Sequence, residues 1–271
     1  MKNPLVSIIV TTKNSEKTIE NCLISITKQS YKYIELLVID NNSTDTTKQI
    51  AKKYTNFVFN KGPERSTQRN LGINKSTGEY ILFLDSDMSL TTKVVEQCVN
   101  TMTKKHVVGI YIPEIITGNF FWSKVRTYER SFYNETVIDA VRFFPKKIAK
   151  QIGGFDETLF AGEDWDFNLR INQLGKTTSI SSPLFHHEEN SNLITYLTKK
   201  SYYTDNLQLY SSKWKDNANV KKQFSPYYRF IGVFFENNKW KKVIAHPFLF
   251  LCVIMLKCFV GLQFVLTKSK N

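Results

Sequence analysis

Apolar residues fall in short runs that alternate with stretches of helical spacing. Residues 5–12 form an apolar run of strand character, and residues 15–29 place Ile19, Leu23 and Ile26 on one helical stripe. A second strand is predicted over 34–40, a second helix over 43–54 and a short strand over 57–59. A helix over about 64–74 leads to Tyr80-Ile81-Leu82-Phe83, which reads as a buried strand; another helix begins near Thr91 or Thr92. Beyond residue 107 the pattern predicts an aromatic-rich helix over 120–134 and a strand over 137–144. A turn at Gly153-Gly154, a helix over 162–174 and a strand over 177–181 follow. Strands alternating with helices imply βαβ units, hence an α/β fold with a Rossmann-like, mainly parallel sheet.

Ligands of such sheets bind outside the carboxyl ends of the strands. Polar residues cluster at those ends: Thr11-Thr12-Lys13-Asn14, Asp40-Asn41-Asn42-Ser43 and Leu84-Asp85-Ser86-Asp87. Asp85 and Asp87 can offer oxygen ligands to a hard divalent cation whose other ligands come from phosphates and water. As a bare pair they fit equally a cap and a turn. Asp40 ends its strand where a ribose or base edge could be bound, and Ser43 is placed to cap the next helix. Asp45 reads as a solvated first-turn acid. Arg65 and Arg69, four residues apart, share a helix face that suits a diphosphate, or pairs with Glu64 in solvent. Gly162-Glu163-Asp164-Trp165-Asp166 puts carboxylates at a helix start, where macrodipole complementarity explains one or two of them. A carboxylate there can also serve as a general base. His186 and His187 follow a predicted strand, and one of the two could complete a metal shell begun by Asp87.

Charge changes the picture of the C-terminal third. The net charge is +13, and residues 190–271 hold thirteen Lys and Arg against three Asp and Glu. Such a tail suits nucleic acid, an acidic partner or an anionic membrane. Here the basic residues alternate with aromatics and lead into an apolar segment, which selects the membrane and not nucleic acid. Residues 193–214 can form an amphipathic helix, Lys239-Trp240-Lys241-Lys242 suits an interfacial anchor, and residues 243–266 are mostly apolar around Lys257. That last segment can span, lie in the interface, form a hairpin or pack on a partner. The predicted organisation is a catalytic domain over 1–190, a basic amphipathic region over 191–242 and a hydrophobic helical region over 243–271. Cys22, Cys98, Cys252 and Cys258 form no C-x-x-C pair, so neither a zinc site nor a disulfide framework is expected. The start of the sequence carries no signal-peptide pattern, which places the globular part in the cytoplasm as an expectation.

Six segments in order carry a further implication. Ser7-Ile8-Ile9-Val10-Thr11-Thr12-Lys13-Asn14 comes first, then Val38-Ile39-Asp40-Asn41-Asn42-Ser43-Thr44-Asp45, then Arg69-Asn70-Leu71-Gly72. Asp85-Ser86-Asp87, Gly153-Gly154-Phe155-Asp156-Glu157 and Glu163-Asp164 complete the set. Over roughly residues 4–190 the chain resembles family 2 glycosyltransferases of the GT-A fold. The resemblance implies an inverting transferase that uses a nucleotide-diphosphate sugar, with uridine the default base, and Mn²⁺ or Mg²⁺. By position, Thr11, Lys13 and Asp40 would contact the nucleoside and Arg69 would lie near the diphosphate. Asp85 would reach the ribose or metal, and Asp87 would hold the metal. Asp164 would be the base with Glu163 as the fallback, and His186 or His187 would touch the metal or diphosphate.

Departures from the family narrow this picture. The Gln-x-x-Arg-Trp motif of processive polysaccharide synthases is missing, which favours transfer of a single sugar. Synthases acting on polyprenyl phosphate follow their acidic pair with a Leu-x-His-Pro-Pro-like run, whereas this chain has Met88-Ser89-Leu90-Thr91-Thr92. A phosphate acceptor is already ionised and needs no base, so Glu163-Asp164 argues for a hydroxyl on a lipid-linked or membrane-proximal glycan. A polyprenyl-phosphate acceptor and a non-catalytic sugar-nucleotide-binding protein are the alternatives.

Overall fold

The computed structural model describes residues 3–118, 121–188 and 207–268, with side chains described to residue 262. The elements run β1 (Val6–Thr12), α1 (Ile19–Thr27), β2 (Ile34–Asp40), α2 (Thr47–Lys52), β3 (Val58–Asn60), α3 (Arg65–Lys75), β4 (Tyr80–Asp85) and β5 (Met88–Leu90). Then come α4 (Val94–Lys105), β6 (Gly109–Tyr111), β7 (Glu114–Thr117), α5 (Phe121–Arg130), β8 (Phe143–Pro145), α6 (Lys146–Gln151), α7 (Glu163–Asn172), β9 (Thr177–Ser179) and β10 (Leu184–His187). Two compact units emerge. One comprises Met1–Glu114 and Ala140–His187, the other Ile115–Asp139 and Glu188–Asn271. Residues 115–139, counted with the first domain in the sequence, thus group with the C-terminal part.

In the first unit the described residues form a seven-stranded sheet in the order β3-β2-β1-β4-β8-β6-β9. Neighbours β3-β2-β1-β4 run parallel, as do β6 and β9, and β8 runs antiparallel to both its neighbours. Strand β1 is buried along its whole length, so its sequence is a nearly continuous apolar run and not an alternation. Val6, Ile8 and Val10 join α1 and α4 on one face, and Ile9 joins α3, α6 and α7 on the other. Helix α3 lies so close to β1 that a Cβ on Gly72 would sit 2.4 Å from Cγ2 of Ile9. Only glycine allows that approach.

Several expectations are corrected. Helix α2 starts at Thr47 and not at 43, and its N-cap is Thr46 with no side-chain cap bond. Ser43 gives its hydroxyl to Asp40. The strand expected over 137–144 is confined to Phe143–Pro145. His186 and His187 lie inside a strand rather than after one, because β10 pairs antiparallel with the short β5.

In the second unit α5 packs on the helix Pro247–Lys268, with rings of Phe121 and Phe248 6.1 Å apart. Edge-on contacts link Tyr128 to Phe132, Phe132 to Phe234 and Phe234 to Phe250. Helices Gln208–Lys213 and Ala218–Phe224 are joined by a hydrogen bond from buried Tyr210 to Gln223, 2.7 Å. Asn217 caps the second, accepting from the amides of Asn219 and Val220. A π-helical turn, Tyr228–Gly232, precedes Trp240–Ala245 and Pro247–Lys268. Residues 193–206 of the amphipathic helix expected over 193–214 lie outside the described residues.

Candidate active site

Parallel pairing brings the polar ends of three strands to one level. Thr12 stands opposite Asp40, and Thr11 opposite Asp85. Gln68 of α3 holds this edge, donating from Nε2 to the carbonyls of Thr12 (3.0 Å) and Ile39 (2.6 Å). Asp40 is fully buried. Its carboxylate accepts from the amide of Ser43 (2.8 Å) and its hydroxyl (2.5 Å), with Lys48 Nζ at 3.8 Å. The hydroxyl of Thr12 beside it is buried without a hydrogen-bond partner, and a buried polar atom of that kind calls for an explanation. Lys13 is exposed.

Asp85 is the hub of the edge. Its Oδ1 accepts from Thr11 Oγ1 at 3.1 Å and lies 3.4 Å from Arg69 Nη2; its Oδ2 is 4.0 Å from Arg142. Burial works against its charge, but Arg69, Arg142, Arg65 and His186 hold the carboxyl well below the usual carboxylate range. Arg69 is 6% exposed and bridges two carboxylates, with Nη1 3.3 Å from Glu163 Oε1. Its guanidinium lies 5.2 Å from the ring centroid of Phe155 and 5.7 Å from that of Phe83. Arg65, on the same helix face, is the more exposed of the two and reaches Glu163 at 3.6 Å.

The start of α7 separates three acids by environment. Gly162 in left-handed backbone (φ 76°) turns the chain into the helix. Glu163 is buried against both arginines; burial and then Asp164 push its carboxyl up, and the arginines oppose. Asp166 is fully buried on Arg170, at 2.9 and 2.6 Å, and Arg170 also holds the carbonyls of Ile152 and Gly154. Asp166 is therefore a structural acid. Asp164 is exposed, accepting only from the amide of Trp165 in the described contacts.

Alternation along β10 separates the two histidines. His186 Nε2 lies 3.2 Å from Asp87 Oδ2, and its Nδ1 lies 2.8 Å from Glu114 Oε1. His187 Nε2 lies instead 2.8 Å from Ser89 Oγ. Burial lowers the affinity of His186 for a proton, but hydrogen bonds to Asp87 and Glu114 outweigh it and raise the pKa to about 9. Sequence reasoning missed Glu114 and Arg142, which lie 3.3 Å apart. No motif marks either; each is placed by pairing across distant segments.

Among the described residues no group of three or more His, Cys, Asp and Glu is arranged to hold a metal. The donors present still fit Mn²⁺ or Mg²⁺, which need one or two protein ligands when phosphates and water supply the rest. A ring nitrogen beside a carboxylate, with a second carboxylate on the far ring nitrogen, is the arrangement that fixes a ligating histidine. A dication would compete with a proton for the ring nitrogen beside Asp87.

Comparisons with known proteins agree with this fold. The fold is shared with solved structures. A mannosyltransferase, PcManGT from Pyrobaculum calidifontis in complex with GDP-Man and Mn²⁺, matches 98% of this chain and 87% of its own at 15% identity, TM-score 0.67. S. aureus TarS 1–349 in complex with UDP-GlcNAc matches 92% of this chain and 79% of its own at 18% identity, TM-score 0.61. The fold and the acidic strand edge thus define a GT-A protein. The Glycosyl transferase family 2 profile matches residues 7–156, more than half of the chain, and the chain belongs to that family. An "Uncharacterized glycosyltransferase" of Haemophilus influenzae is 37% identical over 117 residues, 40% of this chain and 46% of the relative. The chain thus spans less than half of that relative's length.

Proposed function

We propose that the chain is an inverting glycosyltransferase that moves one sugar from a nucleotide-diphosphate sugar, a UDP-sugar by preference, to a hydroxyl of a lipid-linked or membrane-proximal glycan. One observation carries the reading. Opposite charges alternate from Glu163 through Arg69, Asp85, Arg142, Glu114 and His186 to Asp87, along the carboxyl edge of the sheet. A chain of that kind holds one fixed constellation of charges at the place where this fold binds ligands.

The residues divide the work. Thr11, Thr12, Lys13 and Asp40 surround the nucleoside, and the buried hydroxyl of Thr12 there gains an acceptor or donor. Arg65, the more exposed of the two arginines, reaches the diphosphate, while Arg69 fixes Asp85 and Glu163. Asp87 and His186, with Asp85 beside them, would hold Mn²⁺ or Mg²⁺, which supplies positive charge to the leaving diphosphate. Asp164 takes the proton of the acceptor hydroxyl. That oxygen attacks the anomeric carbon opposite the leaving group, the bond to the diphosphate breaks, and the configuration inverts. The basic, aromatic C-terminal part associates with an anionic membrane surface and keeps the donor site on the cytoplasmic side.

Release of UDP from a panel of UDP-sugars tests the reading. Turnover is expected with Mn²⁺, is lost with EDTA, and falls by on the order of 10²–10⁴-fold in Asp87→Ala. Undiminished metal-free turnover in that variant rules it out.

A further inference from the structure

We infer that the helix Pro247–Lys268 docks its exposed apolar side into the headgroup boundary of an anionic bilayer, lying in the membrane plane and not across it. The inference rests on the membrane-association reading above and adds the surface that makes the contact and its orientation.

The helix has two unlike sides. Phe248, Leu251, Met255, Phe259 and Leu262 are 66, 62, 50, 38 and 58% exposed. They recur every three or four residues, so they share one side. Ile244 of the preceding helix is 70% exposed, and the exposed ring of Phe121 lies beside Phe248 and widens the patch. A continuous apolar surface of this kind marks a contact with lipid or protein. The other side is closed. Cys252, Val253 and Leu256 are buried, and Lys257 Nζ lies 2.6 Å from the carbonyl of Arg229, 3.1 Å from Tyr133 Oη and 3.4 Å from Glu129 Oε1.

That asymmetry decides the orientation. A helix crossing the bilayer would need to bring Lys257 and its polar partners into hydrocarbon, or tear the lysine away from them. A helix lying flat buries only the apolar side and keeps Lys257 on its own unit. Charge selects the partner. Thirteen Lys and Arg oppose three Asp and Glu over residues 190–271, and exposed Trp240 and Lys241 precede the apolar stripe. Basic residues beside an apolar helix, with a tryptophan at its edge, are the signature of attraction to anionic headgroups.

Cys258 supplies the probe. It is exposed on the apolar side, whereas Cys22, Cys98 and Cys252 are buried. The full chain is labelled there with an environment-sensitive fluorophore and mixed with phosphatidylcholine vesicles with or without phosphatidylglycerol. The emission is expected to shift to the blue on the anionic vesicles and to be quenched more by a shallow spin-labelled lipid than by a midplane one. Leu251→Glu with Met255→Glu is expected to weaken partitioning by on the order of a hundredfold. Both positions are exposed, so the double variant folds, and an unchanged thermal melt confirms it.

Three results overturn the inference: preferential quenching from the midplane, equal binding by the double variant, or a vesicle-free dimer that the double variant dissolves. If the wild-type chain binds the vesicles but the double variant binds as well, the surface is wrong while membrane association stands. If no vesicle binds the wild type, both fail, and UDP release still tests the transferase separately.

Discussion

At the scale of single residues the acidic candidates are separated by their surroundings. Asp164 is exposed and Glu163 is buried between arginines, although they adjoin in sequence. The exposed one is the proposed base, open to solvent where an acceptor could approach. Asp164→Asn is therefore expected to reduce kcat by on the order of 10²–10⁴-fold with a hydroxyl acceptor, and to leave donor binding by calorimetry unchanged. Retained turnover on polyprenyl phosphate would point instead to an acceptor that needs no base. In the proposed site Glu114 would act through His186, which it touches at 2.8 Å. Glu114→Gln removes the charge that orients the ring, and Mn²⁺ affinity in the presence of UDP, read by calorimetry, is expected to fall about 10–100-fold. Asp85, Asp87, Glu163 and Asp164 were legible because each ends an apolar run or opens a helix. Glu114 and Arg142 were not, since Glu114 meets His186 72 residues away, Arg142 meets Glu114 28 residues away, and both sit in a segment without a clear period. That His186 and not His187 lies beside Asp87 follows from the register of β10 against β5, since successive strand residues face opposite ways.

At the scale of elements the central strands could be read almost to the residue, because a strand covered on both faces is written as an unbroken apolar run. The short ones could not. β5 and β10 have three and four residues, too few for a period, and it is their antiparallel pairing that sets His186 against Met88, next to Asp87. The amino end of the sheet carries a second polar knot. Glu35 accepts from the hydroxyl of Ser7 and from the amide and hydroxyl of Thr77, both 2.8 Å, and ties β2 to β1 and to the approach of β4. Partial burial works against the charge of Glu35, but hydrogen bonds from Ser7, Thr77 and Gly78 lower its pKa. A carboxyl whose folded pKa is lowered stabilises the fold above its unfolded pKa, about 4.3, and loses that contribution as pH falls through the folded value. Glu35→Gln is expected to cost about 0.5–1.5 kcal/mol at neutral pH by urea denaturation, a difference that shrinks as the buffer is taken below about pH 4.

At the scale of the whole molecule the chain is two compact units, for which separate tasks are proposed. The residues proposed to bind the donor, including Thr11, Asp40, Arg69, Asp85, Glu163 and His186, all belong to the first, and the basic, aromatic surface belongs to the second. The charge imbalance of the C-terminal part was visible in the sequence; that residues 115–139 group with it was hidden, because the grouping depends on packing between α5 and a helix more than a hundred residues later. Lys257 lies at the centre of that packing. In the sequence it was an obstacle in an apolar segment; in the structure its side chain and that of Glu129 are 10 and 11% exposed, with Nζ 3.4 Å from Oε1. Burial lowers the pKa of Lys257, and Glu129 opposes the shift. Breaking a buried pair from one side leaves the other charge without its counterion, at a cost of about 3–5 kcal/mol, whereas removing both charges together recovers much of it. Lys257→Met is therefore expected to lower the urea midpoint of the second unit, and Lys257→Met with Glu129→Gln to restore a large part. UDP affinity by calorimetry is expected to stay the same in both, because the pair and the residues proposed to bind the donor belong to different units. Equal loss in the single and double variants would mean that the lysine acts by its packing, through the rings of Tyr133, Phe230 and Phe234 that lie 5.4, 6.0 and 5.1 Å from its ammonium, and not by its charge.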